Sequence, residues 1–473
     1  MQTQSLIYVD GAWRPSASKE LIDVVNPATE QVIARAPAGC AEDVELAVQA
    51  ARRAQAGWAA LPRAERIALV DHIRAGLQAR AEEAAALITA EMGAPLWFSR
   101  MAQLGMPLKN LDFAARALEA MEEEVLGSTR VVRDPVGVVA AITPWNFPLH
   151  QITAKIAPAL LAGCTVVLKP SELTPLDACL LTEVIAAAGL PPGVFNLVMG
   201  TGARVGEPLV SHREVDMVSF TGSTGAGRRV ATLAAPTLKK VALELGGKSA
   251  NLLLADAKLE EALPVVLKQG WANSGQACAC LSRLLVPRSQ LARVQDLLVE
   301  LARDWVVGDP LAEGVKLGPV ASLAQRDRVR GLIASGLAQG ARCLTGGVAA
   351  PEGLERGAYV RPTLLTDVRN DMRVAREEIF GPVICVIAYD GEDQAVGLAN
   401  DSEYGLSGGV WSADLAQAER VARRLHTGQV VLNGSPLNLL APFGGVKQSG
   451  LGREYGRVGL EEFFHLKSLQ GAA

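Results

Sequence analysis

With 473 residues the chain has room for about two to four domains. Hydrophobic residues at 49% and charged residues at 20% belong to a globular protein with large cores, and a net charge of -4 leaves no basic excess for nucleic acid or an acidic membrane surface. Seven scattered cysteines, an odd number, exclude a disulfide scaffold and favour a reducing compartment.

The opening, MQTQSLIYVDGAW, lacks the basic-then-apolar pattern of a secretion signal, so the expected location is cytoplasmic. Residues 5–35 read as short strands. Helical periodicity then runs from Ala41 to Ala60, where Pro62 stops it, and from Arg63 to Met92, where Gly93 ends it. Ile67, Val70, Ile73 and Leu77 fall on one face of the second helix, which should be buried. Residues 119–138 read as a hairpin leaving this rhythm.

A regular series follows. VVAAIT (138–143), TVVL (165–168), VFNLVM (194–199), MVSF (217–220) and VALEL (241–245) are short runs rich in β-branched residues, with helix-like segments between them. This is the βα rhythm of a parallel, doubly wound sheet buried on both faces. Uncharged stretches such as AAAGLPPGVFNLVMG break into helix, turn and strand, so no membrane span is expected. A second, less regular α/β rhythm fills 250–440, with strands at RLLVP (283–287), VICVIAY (383–389) and QVVLN (429–433); GGVAAPEGLERGAYVRP reads as a surface loop. No Ser- or Pro-rich linker interrupts the chain, so its parts should pack tightly. The tail, EEFFHLKSL, is apolar enough to dock as a strand, on this chain or on another subunit.

Five segments could carry chemistry. Cys278 lies in SGQACACLSR, where Gly275, Ala277 and Ala279 would leave room for a substrate; a packed structural thiol is the plain alternative. A free thiol is mostly protonated at neutral pH, so a nucleophile needs a base or dipoles beside it. Cys278 and Cys280 form a lone C-x-C with no second pair, and the five histidines show no ligand spacing, so no metal is expected. Glu244, in LELGGKSA, ends a strand read as buried. It suits a general base of raised pKa, unless the Gly246 and Gly247 amides satisfy it. GGKS also matches the end of a phosphate loop, but Ala242 stands where that loop needs glycine. Asn146, in ITPWNFP, follows the first strand of the series, where an amide can donate to an oxyanion or cap the next helix. Lys169, Ser171 and Glu172, in LKPSE, follow the second strand. There a carboxylate can accept both hydroxyls of an adenosine ribose and repel a 2′-phosphate, or form a plain solvent-facing pair with the lysine. FTGSTGAG opens a helix after the fourth strand, with glycines that let phosphates approach its N-terminus, although Thr224 breaks the usual G-x-G-x-x-G.

In this order, ITPWNFP, LKPSE, FTGSTGAG, LELGGK, GQAC, EEIFGP and PFGGVKQSGLGRE resemble the aldehyde dehydrogenase superfamily over residues 5–470. The resemblance implies a Rossmann-like cofactor domain, an α/β catalytic domain and a small β bridging element. It implies NAD as cofactor and oxidation of an aldehyde to its carboxylic acid through a hemithioacetal and a thioester. By the same resemblance Cys278 is the nucleophile, Glu244 the base for deacylation, and Asn146 with the Cys278 backbone N–H the oxyanion donors. Trp145, Lys169, Ser171, Glu172, Gly222, Ser223, Gly227, Glu378 and Phe380 fall to the cofactor. Phe147, His150 and Ala154 fall to the substrate; Ala154 replaces an aromatic residue frequent in relatives, and NGSPLNLLA supplies no aromatic wall, which leaves a wide aliphatic tunnel.

The expected divisions are 1–118 with 139–246 for the cofactor, 247–445 for catalysis, and 119–138 with 446–473 for bridging between subunits of a homodimer or homotetramer. Three rivals stand beside this reading. A CoA-acylating dehydrogenase commonly lacks the base that Glu244 would supply. A non-catalytic binding protein on the same scaffold would not need Cys278, Glu244 and Asn146 together. A cysteine hydrolase usually needs a histidine partner.

Overall fold

The computed structural model describes residues 2–3 and 6–472; residues 1, 4, 5 and 473, which belong to the first and last expected divisions, lie outside it. The five β-branched runs form the expected parallel core. Val138–Ile142, Thr165–Lys169, Phe195–Leu197, Met217–Thr221 and Lys240–Glu244 line up in the spatial order fifth, fourth, first, second, third. The first, second and fourth are buried along their whole length, which is why their sequences do not alternate. Leu6–Val9 and Ala12–Pro15 extend this sheet at one edge, and Gly450–Leu451 adds an antiparallel strand at the other. The chain therefore reverses its direction of travel between Val138–Ile142 and Met217–Thr221. A crevice opens beyond the carboxyl ends of two strands at such a point.

A second sheet runs Arg342–Thr345, Thr363–Thr366, Val383–Tyr389, Arg283–Pro287, Ala250–Leu253, Gly408–Trp411, Val431–Leu432, parallel except for its first pair. The last strand is shorter than QVVLN suggests: it is an edge strand, and Asn433, at φ 46°, turns the chain away. The 346–362 loop is without regular structure, yet its Ala358, Tyr359 and Val360 are buried, and Ala358 N–H donates to Pro27 O at 2.8 Å.

The first helix spans Ala41–Ala60 as expected. The second does not continue to Met92: it divides into Arg63–Ala79 and Ala81–Met92 at Arg80, whose backbone stands at φ -105°, ψ 20°. No glycine or proline marks the break. Arg80 binds Glu83 in the following turn and Glu183 on a neighbouring helix, so the break is accompanied by a tertiary contact. Val70, Ile73 and Leu77 are buried, and Ile67 packs against the same core from a partly exposed position.

Residues 119–138 contain the hairpin Glu124–Leu126 and Thr129–Pro135. The tail strand, Phe464–Gln470, pairs antiparallel with Thr129–Pro135 of its own chain, from Phe464 opposite Pro135 to Gln470 opposite Thr129. Among the described residues no helix is long and apolar enough to cross a membrane, and no cluster of three or more His, Cys, Asp or Glu could hold a metal.

Candidate active site

At the switch point, Trp145, Asn146, Gly222, Ser223, Cys278, Glu378 and Phe380 come together, with Leu245, Gly246, Gln325 and Arg328, around a cleft of about 280 Å³. Each arrives for a local reason. Trp145 and Asn146 lie just past Val138–Ile142. Ser223 caps the helix Thr224–Ala234, its Oγ accepting from Ala226 N–H at 3.3 Å, which points that helix's N-terminus at the cleft. Trp145 and Phe380 meet edge-to-face at 5.3 Å and form an apolar wall.

Cys278 is delivered by a strained turn. Asn273, Ser274 and Gly275 stand in succession at φ 56°, 54° and 71°. A non-glycine residue there costs about 1–3 kcal/mol and persists only where its surroundings over-determine it. Here they do: Ser274 Oγ donates to Gly318 O at 2.8 Å, and Gln276 Oε1 accepts from Ala321 N–H at 2.8 Å. Gly275 does not leave room for a substrate. A Cβ on it would run into the backbone of Gly381 and Pro382, so its missing side chain lets two loops cross. Burial, and then the carboxylates of Glu244 and Glu378, push the Cys278 thiol well above its ordinary range; burial pushes Cys280 up to about 12.

Asn146 is not a helix cap. Its Nδ2 donates to Gln276 O at 3.0 Å, and its backbone carbonyl oxygen accepts from Gln103 Nε2 at 3.0 Å and Asn273 Nδ2 at 2.9 Å. The amide is thus tied to the turn that carries Cys278, with one N–H left over. Gln103 ends a π-helical turn, Ser99–Gln103, an irregularity often found at functional sites.

Glu244 lies behind the cleft. It is 4% exposed, and neither carboxylate oxygen has a hydrogen-bond partner. The glycine amides do not satisfy it: Gly247 N–H donates to Glu378 Oε1 at 3.0 Å instead. Burial, reinforced by Glu454, raises Glu244 well above the carboxylate range. Such an acid binds a proton strongly, as a general base must. Beside it, Lys155 is ion-paired with Glu454 and hydrogen-bonded to Thr221 Oγ1 at 2.7 Å. Sequence reasoning missed both. The signal was there: Lys155 sits in a helix, Pro148–Ala162, that is buried on every side, where a charge must be paired.

The remaining expected residues lie apart. Lys169 is buried and reaches Glu172 Oε2 at 3.2 Å and Pro170 O at 3.0 Å, at the end of the strand beside the switch point. Ser171 Oγ accepts from Leu173 N–H at 3.2 Å. Gly227 faces Leu245, where a Cβ would clash, so it serves helix-to-strand packing beside the cleft. Ala154 lines a second, small cavity with Asn110, Leu439 and Tyr455. His150 is buried, with Nδ1 2.9 Å from Asn110 Nδ2 and Nε2 2.7 Å from Tyr455 Oη; the Phe147 ring meets it edge-on, 6.2 Å between centroids.

A doubly wound sheet that opens at its switch point onto a second α/β half, with a thiol in the opening, has the architecture of an oxidoreductase. The profile of the aldehyde dehydrogenase family matches residues 13–469, and the chain belongs to that family. It is 49% identical to the 3-succinoylsemialdehyde-pyridine dehydrogenase of a Pseudomonas species, over 98% of each chain. Among solved structures it is similar to aldehyde dehydrogenase C of Pseudomonas syringae, a cysteine-to-alanine mutant in complex with NAD+ and octanal. That match has a TM-score of 0.98 and 48% identity, covering 99% of this chain and 97% of the other. Betaine aldehyde dehydrogenase of Staphylococcus aureus, in complex with NAD+, matches with a TM-score of 0.96 and 37% identity, covering 99% and 95%.

Proposed function

We propose that this aldehyde dehydrogenase is NAD-dependent and non-acylating, with Cys278 as its nucleophile, Asn146 and the Cys278 backbone N–H as oxyanion donors, and Glu244 as the base that activates water. The observation that carries the reading is the cleft itself, in which the thiol and the Asn146 amide share one opening with Trp145, Glu378 and Phe380.

The residues fit NAD. Gly246 has no side chain where Glu378 stands, since a Cβ there would meet its carboxylate. Trp145 and Phe380 offer an apolar wall to a ring, and the Thr224–Ala234 N-terminus offers N–H groups to phosphates. Glu378 would hold the nearer ribose, Lys169 and Glu172 the adenosine ribose. When bound, NAD supplies the hydride acceptor. The Cys278 thiol passes its proton to solvent water as its sulfur bonds to the aldehyde carbon, and the electron pair of the C=O π bond moves onto the oxygen. The Asn146 side chain, held by Gln276 O, on a backbone whose carbonyl is fixed by Gln103 and Asn273, is set in advance to meet the developing oxyanion. Glu244 then takes a proton from the water that cleaves the thioester. Its unpartnered, buried carboxyl favours water over CoA as the acyl acceptor. The test is NADH formation from an aldehyde with and without CoA. An equal rate and a free acid are expected; a rate that requires CoA would overturn the assignment.

Two further results are expected. Glu172→Ser should lower the preference for NAD over NADP by removing the carboxylate that repels a 2′-phosphate, read as the ratio of kcat/KM for the two; an unchanged ratio would place the choice elsewhere. Burial raises Glu378 to about 7. Its ionised form accepts hydroxyl hydrogen bonds, so the KM for NAD should rise as pH falls through about 7 and level off above it. A flat profile between pH 6 and 8 would remove Glu378 from the ribose.

The three-stranded sheet formed by the hairpin and the tail leaves apolar residues at both edges, with Val125 54%, Leu126 59% and Leu466 69% exposed. Proteins cover such edges, which supports a homodimer or homotetramer joined there; sedimentation as a monomer would refute it. The unmodified thiol that Cys278 needs supports a reducing, cytoplasmic setting.

A further inference from the structure

Gln103 is fully buried and does not line the cleft, yet its amide reaches two of the segments that shape it. It arrives there through an irregularity. Between the helices Ala81–Met92 and Gly105–Glu119 the chain makes one π turn, Ser99–Gln103, closed by Leu104 N–H donating to Ser99 O at 3.0 Å. A π turn holds one residue more than an α turn, and each residue advances about 100° around a helix. In a regular turn the place of Gln103 would fall to Ala102 or Leu104, and neither side chain can donate a hydrogen bond. The turn is pinned to the helix before it. Ser99 Oγ and Thr89 Oγ1 lie 2.9 Å apart, and Gln103 Nε2 lies 3.5 Å from Met92 Sδ, three residues further along that helix.

The direction of each hydrogen bond around it is fixed by a main-chain carbonyl, which only accepts. Gln103 Nε2 donates to Asn146 O at 3.0 Å. Asn273 Nδ2 donates to the same oxygen at 2.9 Å and to Gln276 O at 3.2 Å. Asn146 Nδ2 donates to Gln276 O at 3.0 Å. The second Gln103 Nε2 proton faces Met92 Sδ and Asn273 Oδ1, each at 3.5 Å. The Gln103 amide therefore turns its nitrogen toward Asn146 and its oxygen away. That oxygen, Oε1, has no hydrogen-bond partner among the described residues. A buried acceptor left unpaired costs stability, and an apolar side chain of similar size would avoid the cost. What the glutamine contributes is its nitrogen.

The nitrogen grips the main chain of the residue whose side-chain amide lines the cleft beside Cys278. A peptide held by two donors on its carbonyl is restrained from tilting, and an oxyanion donor is effective only if it is aimed before the charge develops. We propose that Gln103 is a positioning residue for acylation: it fixes the Asn146 peptide, and through it the aim of the Asn146 amide at the aldehyde oxygen, without touching the substrate. This rests on the assignment of Asn146 as an oxyanion donor.

The test is a single turnover of hexanal, with enzyme in excess and NAD saturating, followed by stopped-flow absorbance of NADH. It compares the wild type, Gln103→Leu, Asn146→Ala and the double variant. Gln103→Leu should slow NADH formation about tenfold, the effect of one lost hydrogen bond, and Asn146→Ala about 10²–10³-fold. The double variant should match Asn146→Ala to within about twofold, because Gln103 then has no amide to aim. Gln103→Leu should unfold at the wild-type temperature or above it, since Asn146 O keeps its Asn273 donor and an unpaired oxygen is gone. Gln103→Met, which keeps an unbranched chain, should behave alike. A wild-type rate in both Gln103 variants overturns the proposal. So does a loss that persists undiminished in the Asn146→Ala background, which would make Gln103 merely structural. If Asn146→Ala itself turns over at the wild-type rate, the oxyanion assignment fails and this inference with it; a slow Asn146→Ala beside a fast Gln103→Leu sinks this inference alone.

Discussion

Cys278→Ala is expected to abolish aldehyde oxidation and any ester hydrolysis together, each by roughly 10⁵-fold or more, as when a covalent nucleophile is removed from its constellation. Both reactions would pass through one sulfur, at the end of a turn whose three left-handed residues exist to aim it. NAD binding, followed by fluorescence quenching, should survive, because Trp145, Glu378 and Phe380 are untouched. Ester hydrolysis that persisted would move the nucleophile to another thiol. Cys280, two residues along the chain, is the neighbour to suspect.

Glu244→Gln should separate the two halves of the reaction. Acylation continues and a burst of about one NADH per site appears; turnover then slows by roughly 10²–10⁴-fold, because no base activates water. The substitution is nearly isosteric. It breaks no hydrogen bond, since the carboxyl makes none, and it keeps a neutral group facing Glu454. The protein should therefore stay folded, and the stall can be read as chemistry. A slow steady rate with no burst would place Glu244 before the thioester rather than after it.

Much of this site was legible in the sequence because its parts sit on elements with strong periodic signals. The doubly wound sheet could be read from uniformly apolar runs, since strands buried on both faces leave no polar alternation. The positions of Asn146 and Ser223 followed from strand ends. Other features depend on contacts that no local pattern encodes. The break at Arg80 carries no glycine or proline, and its side chain meets Glu183, far along the chain. Gly275 looked like space for a substrate and is instead a crossing of two loops, which only their three-dimensional approach reveals. Glu454 lay within a quoted motif, PFGGVKQSGLGRE, without a role until its pairing with Lys155 was seen. The tail was recognisable as a strand, but its partner, Thr129–Pro135 of the same chain, was one of two possibilities that only the fold could separate.

The crossing at Gly275 has a practical consequence for redesign. The loop that presents the sulfur and the loop that bears Glu378 and Phe380 touch backbone to backbone, with no side chain between them to absorb a shift. Reshaping either one to accept a different coenzyme would drag the other with it and spoil the thiol's aim. On the proposed assignment, Glu172, at the end of a strand of the other sheet and free of that coupling, is where a substitution is expected to alter coenzyme choice without disturbing the chemistry.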